Sequence, residues 1–238
     1  MLDTALALWH KGLMKRGLHR PNAPQALPSL AEMWRLRMVH TDPHYLSEFL
    51  RRHAAHDLLA LDVFPRDIAK EITESAALRA AAIQYLGCDP KDPRVVAVCP
   101  GDGASPRTAA LLAFTTAWRC VSIDPALTSW HARWPDGAHI SGRPVVRLET
   151  IAAKVEDVPG RVVLAPSERA VVLACHSHAL LPAALATVVA PASDVGVAAM
   201  PCCIAQELGL NRPCDHEYID DGVWSPHRVV RIWRPVKS

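Results

Sequence analysis

Residues 95–125 constrain this chain more than any other stretch. Val95 to Cys99 is an apolar, β-branched run, as in a strand covered on both faces. Gly101 and Gly103 then permit a sharp turn and a close approach of backbone to a ligand. Ser105 stands where an N-cap would. Pro106 suits the first turn of a helix, where its missing N–H costs nothing. The helix runs through Thr108, Ala109, Ala110, Leu111, Leu112 and Phe114. Arg119 to Ile123 reads as the next strand, and Asp124 closes it. An acidic side chain about 20 residues past a glycine turn is where doubly wound folds hold a nucleoside ribose. The stretch therefore predicts a nucleoside-cofactor site.

The residues before it read as helical. Residues 1–20 carry Lys11, Lys15, Arg16 and Arg20 against Asp3, with Trp9 at helical spacing. An amphipathic first helix and a transit peptide share this layout. Pro21, Pro24 and Pro28 mark a connector. Ser29 and Glu32 form a capping box before a helix carrying Met33, Trp34, Leu36 and Met38. Asp42-Pro43 starts another, through Tyr45, Leu46, Phe49 and Leu50, with Arg51, Arg52, His53 and His56 at its end. A further helix from Arg66 continues to Leu86, and Gly87 is its stop. The chain is read as a helical extension, 1–75, before a domain over 76–238.

From Val95 the grammar changes to alternating strands and helices, the signature of a parallel sheet. Val145 to Leu148 and Arg161 to Leu164 compete for the third core strand, with a helix expected from Glu149 to about Val155. Ala170 to Cys175 is a strand, followed by His176, Ser177, His178 and a helix through Leu180 to Val188. Val195 to Met200 is the next strand, followed by Pro201, Cys202 and Cys203. Glu217 to Ile219 and Arg228 to Trp233 pair as a closing antiparallel hairpin around Asp221, Gly222 and Pro226. The fold class is α/β: a Rossmann-like, mostly parallel sheet with a C-terminal antiparallel hairpin, preceded by helices.

Three motifs in register then resemble a known family. Pro100, Gly101, Asp102 and Gly103, followed by Asp124, resemble motif I and the acidic strand end of class I S-adenosylmethionine-dependent methyltransferases. Cys175-His176-Ser177-His178 resembles the His-x-Cys motif of one subgroup, and Pro201-Cys202-Cys203 its Pro-Cys-Cys motif. That subgroup includes a eukaryotic tRNA ribose methylase and the methyltransferase-like domain of the glutathione S-transferase C-terminal-domain-containing protein. The resemblance covers roughly residues 76–236. It departs from the pattern at His178, where the subgroup more often has Cys, and an acidic residue that often follows is missing.

The resemblance implies S-adenosylmethionine as cofactor, held by Pro100, Gly101, Asp102, Gly103, Ser105, Asp124 and His176. It also implies an RNA acceptor met by Ser177, Pro201 and Cys202. His176 and His178 are the candidate catalytic residues, since a histidine at the carboxyl edge of such a sheet can take a proton. The alternative is a methyltransferase-like protein without turnover, serving as a structural or assembly component of a larger particle, ribonucleoprotein included. A nicotinamide site would want a third glycine where Pro106 stands. Cys202, Cys203, Cys214 and His216 lack a standard zinc spacing, so no metal is expected. Trp130 and Trp134 fit a core face better than a base-stacking platform.

Composition adds limits. A net charge of +2 gives no polyelectrolyte signal for nucleic acid, although Arg35, Arg37, Arg51 and Arg52 extend the basic set of the N-terminal segment. That segment is read as serving the acceptor or a protein partner. Seven cysteines without a disulfide framework point to a reducing compartment. The expected location is the cytoplasm, or mitochondria if the basic N-terminus is a transit peptide. No apolar run approaches a membrane span.

Overall fold

The structure is a computed structural model. It describes residues 44–235, apart from 53, 65, 66, 136, 138, 141, 142, 192, 193, 203–209 and 211. The expected basic helix over 1–20, the proline connector, the Ser29–Glu32 box, the Asp42-Pro43 start and Cys203 lie outside the described residues.

Among the described residues, three helices precede the sheet: α1 (His44–Leu50), α2 (Ala54–Ala60) and α3 (Ile68–Leu86). His56, expected at the end of the helix before, lies instead within the separate helix α2. α3 stops as predicted. Gly87 adopts a left-handed φ of 64°, and the N–H of Cys88 bonds back to Ala82 O at 3.1 Å. The boundary expected between residues 75 and 76 falls inside α3.

Seven strands follow in one sheet: β1 (Val95–Pro100), β2 (Arg119–Ile123), β3 (Leu148–Ile151), β4 (Arg169–Cys175), β5 (Gly196–Met200), β6 (His216–Ile219) and β7 (Val229–Trp233). Their order is β3-β2-β1-β4-β5-β7-β6. The first five run parallel, and β7 is antiparallel to both β5 and β6. The protein thus has the α/β, Rossmann-like sheet with a closing antiparallel hairpin that its sequence predicted. Both candidates for the third strand were off. β3 takes residues 148–151, where a helix had been expected, and Val162 forms only an isolated bridge to Val188. Glu149 faces solvent in β3 while its backbone pairs with Val121. A hydrogen-bonding vacancy on the edge of β2 thus outweighed the helical pattern.

Alternation within the strands divides the core. Val95, Ala97, Cys99, Val171, Leu173, Ala198 and Met200 pack with α3 and with α4 (Arg107–Thr115). Val96, Val98, Val172, Ala174, Val197 and Ala199 pack on the other face with α6 (Leu181–Ala186). A third cluster joins α1, α2 and α3 to Leu111 and Trp130, the latter on α5 (Thr128–Arg133). Trp130 is buried, with the Trp134 ring 6.2 Å away, so this pair belongs to the core.

The turn after β1 is held differently from expectation. Ser105 does not cap α4: its hydroxyl donates to Val63 O at 2.6 Å. The cap comes from Asp102, whose carboxylate accepts from Thr108 N at 2.9 Å, Ala109 N at 3.1 Å and Ser122 Oγ at 3.1 Å. Three acceptor bonds from one buried side chain lie beyond what a serine hydroxyl offers. Burial pushes the Asp102 pKa up, against the opposing pull of Arg107 and the backbone donors. Asp102→Asn puts an amide where acceptors are required. It is expected to lower stability in urea unfolding by roughly 1–3 kcal/mol. An unchanged midpoint would show that the cap is dispensable.

Candidate functional site

The sheet's carboxyl edge is brought into line by backbone bonds. Gly101 N–H donates to Ile123 O at 2.8 Å and Asp124 N–H to Ile151 O at 3.1 Å. Gly101 has φ +65°, and a Cβ built on it would lie 2.4 Å from Ser177 Oγ. No other residue type fits this contact between the turn after β1 and the loop after β4.

A cavity of about 440 Å³ opens at this edge. It is lined by Gly101, Ile123, Asp124 and Pro125 from one side, Lys154, Val155 and Glu156 from the loop after β3, and His176, His178 and Ala179 from the loop after β4. Four of the predicted site residues therefore surround one space: Gly101, Asp124, His176 and His178. The others stand around it. The Asp102 and Ser105 side chains turn inward, as described, and Pro100 is buried at the end of β1. Gly103 donates its N–H to Asp124 Oδ2 at 2.9 Å, while Asp124 Oδ1 accepts from Ala126 N at 2.7 Å. Asp124 thus fixes the glycine turn, and each oxygen keeps a second lone pair. Ser177 is buried and its hydroxyl accepts from Ala179 N at 3.1 Å.

The two motifs after β4 and β5 meet because these strands are neighbours. His176 N–H donates to Met200 O at 2.8 Å, next to Pro201. His178 Nε2 and Cys202 Sγ lie 3.1 Å apart, and His178 is exposed. His176 itself adopts φ +49°, the left-handed region that a non-glycine residue occupies at a cost of about 1–3 kcal/mol.

Sequence reasoning missed the contribution of α3. Glu74, with its side chain 2 % exposed, lies 2.7 Å from His176 Nε2 through Oε1. Lys70 Nζ holds the same carboxylate at 2.9 and 3.1 Å. Burial opposes ionisation of Glu74, yet His176 and Lys70 together keep its pKa below the ordinary glutamate value. One turn back, Glu71 pairs with Arg107 at 2.8 Å, and Arg107 Nε donates to Asp102 O at 3.0 Å. This chain of bonds ties α3 to the glycine turn. Glu71 and Glu74 belong to the stretch that the sequence set apart as an extension. Two carboxylates within an otherwise alanine-rich helical run were the available signal, since buried charges need partners.

Glu74, Cys175 and His176 present a carboxylate, a thiol and an imidazole within 4.8 Å of one another. The Lys70 ammonium on Glu74 and the 2.7 Å contact describe a hydrogen-bonded pair, and burial pushes the Cys175 thiol pKa well up, away from a ligating thiolate. Among the described residues, no helix is long and apolar enough to cross a membrane.

No family model matches the chain, and no curated protein does. Among solved structures, a crystal structure of a mutant of MtNAS matches with a TM-score of 0.43 and 10% identity, covering 97% of this chain and 96% of that one. A likeness at this level carries no argument about function.

The depressed pKa of Glu74 has a pH consequence. Its pairing stabilises the fold above the unfolded glutamate pKa, about 4.3, and is lost as pH falls through the lower folded value. The stability gap between wild type and Glu74→Gln in urea unfolding is expected to be wide at neutrality and to narrow below about pH 4. A gap constant down to pH 3 would contradict the pairing.

Proposed function

We propose that the protein is an S-adenosylmethionine-dependent methyltransferase, with its cofactor in the cavity at the carboxyl edge of the sheet. The observation that supports this best is the convergence of Gly101 and Asp124 on one cavity with His176 and His178. Open α/β sheets take their ligands at this edge. Gly101 leaves backbone bare where the methionine part would lie, and the spare lone pairs of Asp124 suit ribose hydroxyls. Lys154 and Glu156, absent from the sequence reading, stand at the same cavity. When bound, the cofactor would supply an activated methyl group on a sulfonium. The chain's own task is then to align a nucleophile with that methyl, which supplies much of the rate.

The acceptor is proposed to be RNA on the motif resemblance alone. His178 and Cys202, in contact with each other, stand on the acceptor side of this reading. The reading of a non-catalytic component draws on the missing family acidic residue.

Titration calorimetry with S-adenosylmethionine is the test. Micromolar binding is expected. Asp124→Ala should weaken it by at least about 10-fold, since a hydrogen bond to a charged group is worth about 1.5–3 kcal/mol and the glycine turn loses its anchor too. Unchanged affinity in a folded variant would remove Asp124 from the site. Binding of NADH with comparable affinity would overturn the assignment.

A further inference from the structure

His176 is an imidazole with one nitrogen committed and the other unpartnered. Nε2 faces the Glu74 carboxylate at 2.7 Å. An ionised carboxylate only accepts, so Nε2 must carry a proton. Lys70 Nζ, 2.9 Å from the same oxygen and 3.1 Å from the other, keeps Glu74 in that state. In the neutral ring, Nδ1 is then a bare lone pair. In the structure Nδ1 is buried and has no hydrogen-bond partner. Buried polar atoms are normally satisfied, and an exception calls for an explanation such as a missing ligand. Around the imidazole, the ring of His227 sits edge-on at 6.2 Å, and the Cys175 thiol is close to Glu74. The left-handed backbone at His176 is a second cost maintained at the same residue. His176 also lines the cavity. One helical turn from Glu74, Glu71 Oε2 is likewise buried and without a hydrogen-bond partner.

We infer that His176 Nδ1 is the atom that takes the proton of the methyl acceptor, and that Glu74 is the positioning residue that fixes the required tautomer. The inference rests on the methyltransferase reading and narrows the acceptor to a class. A thiolate or carboxylate nucleophile needs no base. A buried carboxylate–imidazole pair is suited to a nucleophile that bears a proton at neutral pH, a hydroxyl or an N–H nitrogen. As that oxygen or nitrogen bonds to the methyl carbon, the sulfur–methyl bond breaks with its electron pair passing to sulfur. The acceptor's proton passes to Nδ1. The positive charge lost from the sulfonium reappears on the imidazolium, next to the Glu74 carboxylate.

The test is ring-¹⁵N histidine NMR on the full chain, with His176 assigned by its loss in His176→Gln. The probes are S-adenosylhomocysteine and sinefungin, the analogue that carries an amino group at the position of the transferable methyl. The wild type is expected to show the Nε2–H tautomer at His176 near pH 8. Sinefungin should shift the Nδ1 resonance as that nitrogen gains a hydrogen bond, and S-adenosylhomocysteine should not. Glu74→Gln should lose the tautomer preference while keeping its calorimetric affinity for S-adenosylhomocysteine. An Nδ1–H tautomer in the wild type, or bound sinefungin that leaves Nδ1 unmoved, overturns the inference; both results are read on the wild-type protein. If S-adenosylhomocysteine and sinefungin both fail to bind the wild type, the methyltransferase reading itself falls and the inference falls with it. If both bind but the tautomer is wrong, the inference alone falls.

Discussion

The buried carboxylate of Asp102 is the constraint on which the rest of the site depends. It closes the first turn of α4 through Thr108 N and Ala109 N and reaches across to Ser122 in β2. A charge in that position is costly unless its acceptor capacity is used, and here it is. The bonds fix where the chain leaves β1 and enters α4. With the turn fixed, Gly101 lies against Ser177, and Asp124 secures Gly103 from the end of β2. The cavity is the space that these loops and the loop after β3 leave between them.

A second layer of polar bonds joins the helical segment to this edge. Arg107 bridges Asp102 and Glu71, while Glu74 joins Lys70 and His176. α3 therefore serves two physical roles. Its apolar residues, among them Ile72, Leu78, Ala81 and Ala82, fill the core, and its acidic residues face the strand ends. Breaking one partner out of a buried charged pair costs more than the pair contributes, so these contacts specify the arrangement strongly even if their net stabilisation is small.

Much of the fold was legible in the sequence because its signals were local. β1, β2, β4 and β5 are apolar runs bounded by glycine, proline or polar residues, and Gly87 marked the end of α3 at the right residue. β3 was not legible, since Leu148 to Ile151 includes Glu149 and Thr150 and becomes a strand only by pairing with β2. Gly101 and Asp124 were found from the glycine turn and the acidic end of the next strand, His176 and His178 from the motif resemblance and their place after a strand, and the four share the cavity. Glu74 was not found, because its role depends on a contact with His176, 102 residues away in the chain. Ser105 was misassigned as a cap for a similar reason. The competing group, Asp102, was in view, but the local pattern gave no measure of how far its carboxylate reaches.

The central claim is that the cavity at the carboxyl edge of β1, β2 and β4 holds S-adenosylmethionine. Ultraviolet photo-crosslinking of radiolabelled S-adenosylmethionine to the full chain, followed by peptide mapping, tests it most directly. The account predicts saturable label in peptides containing Gly101, Asp124, Lys154 to Glu156 or His176 to Ala179, displaced by unlabelled S-adenosylhomocysteine. Saturable label confined to peptides away from these loops, or no saturable label at all, would contradict it.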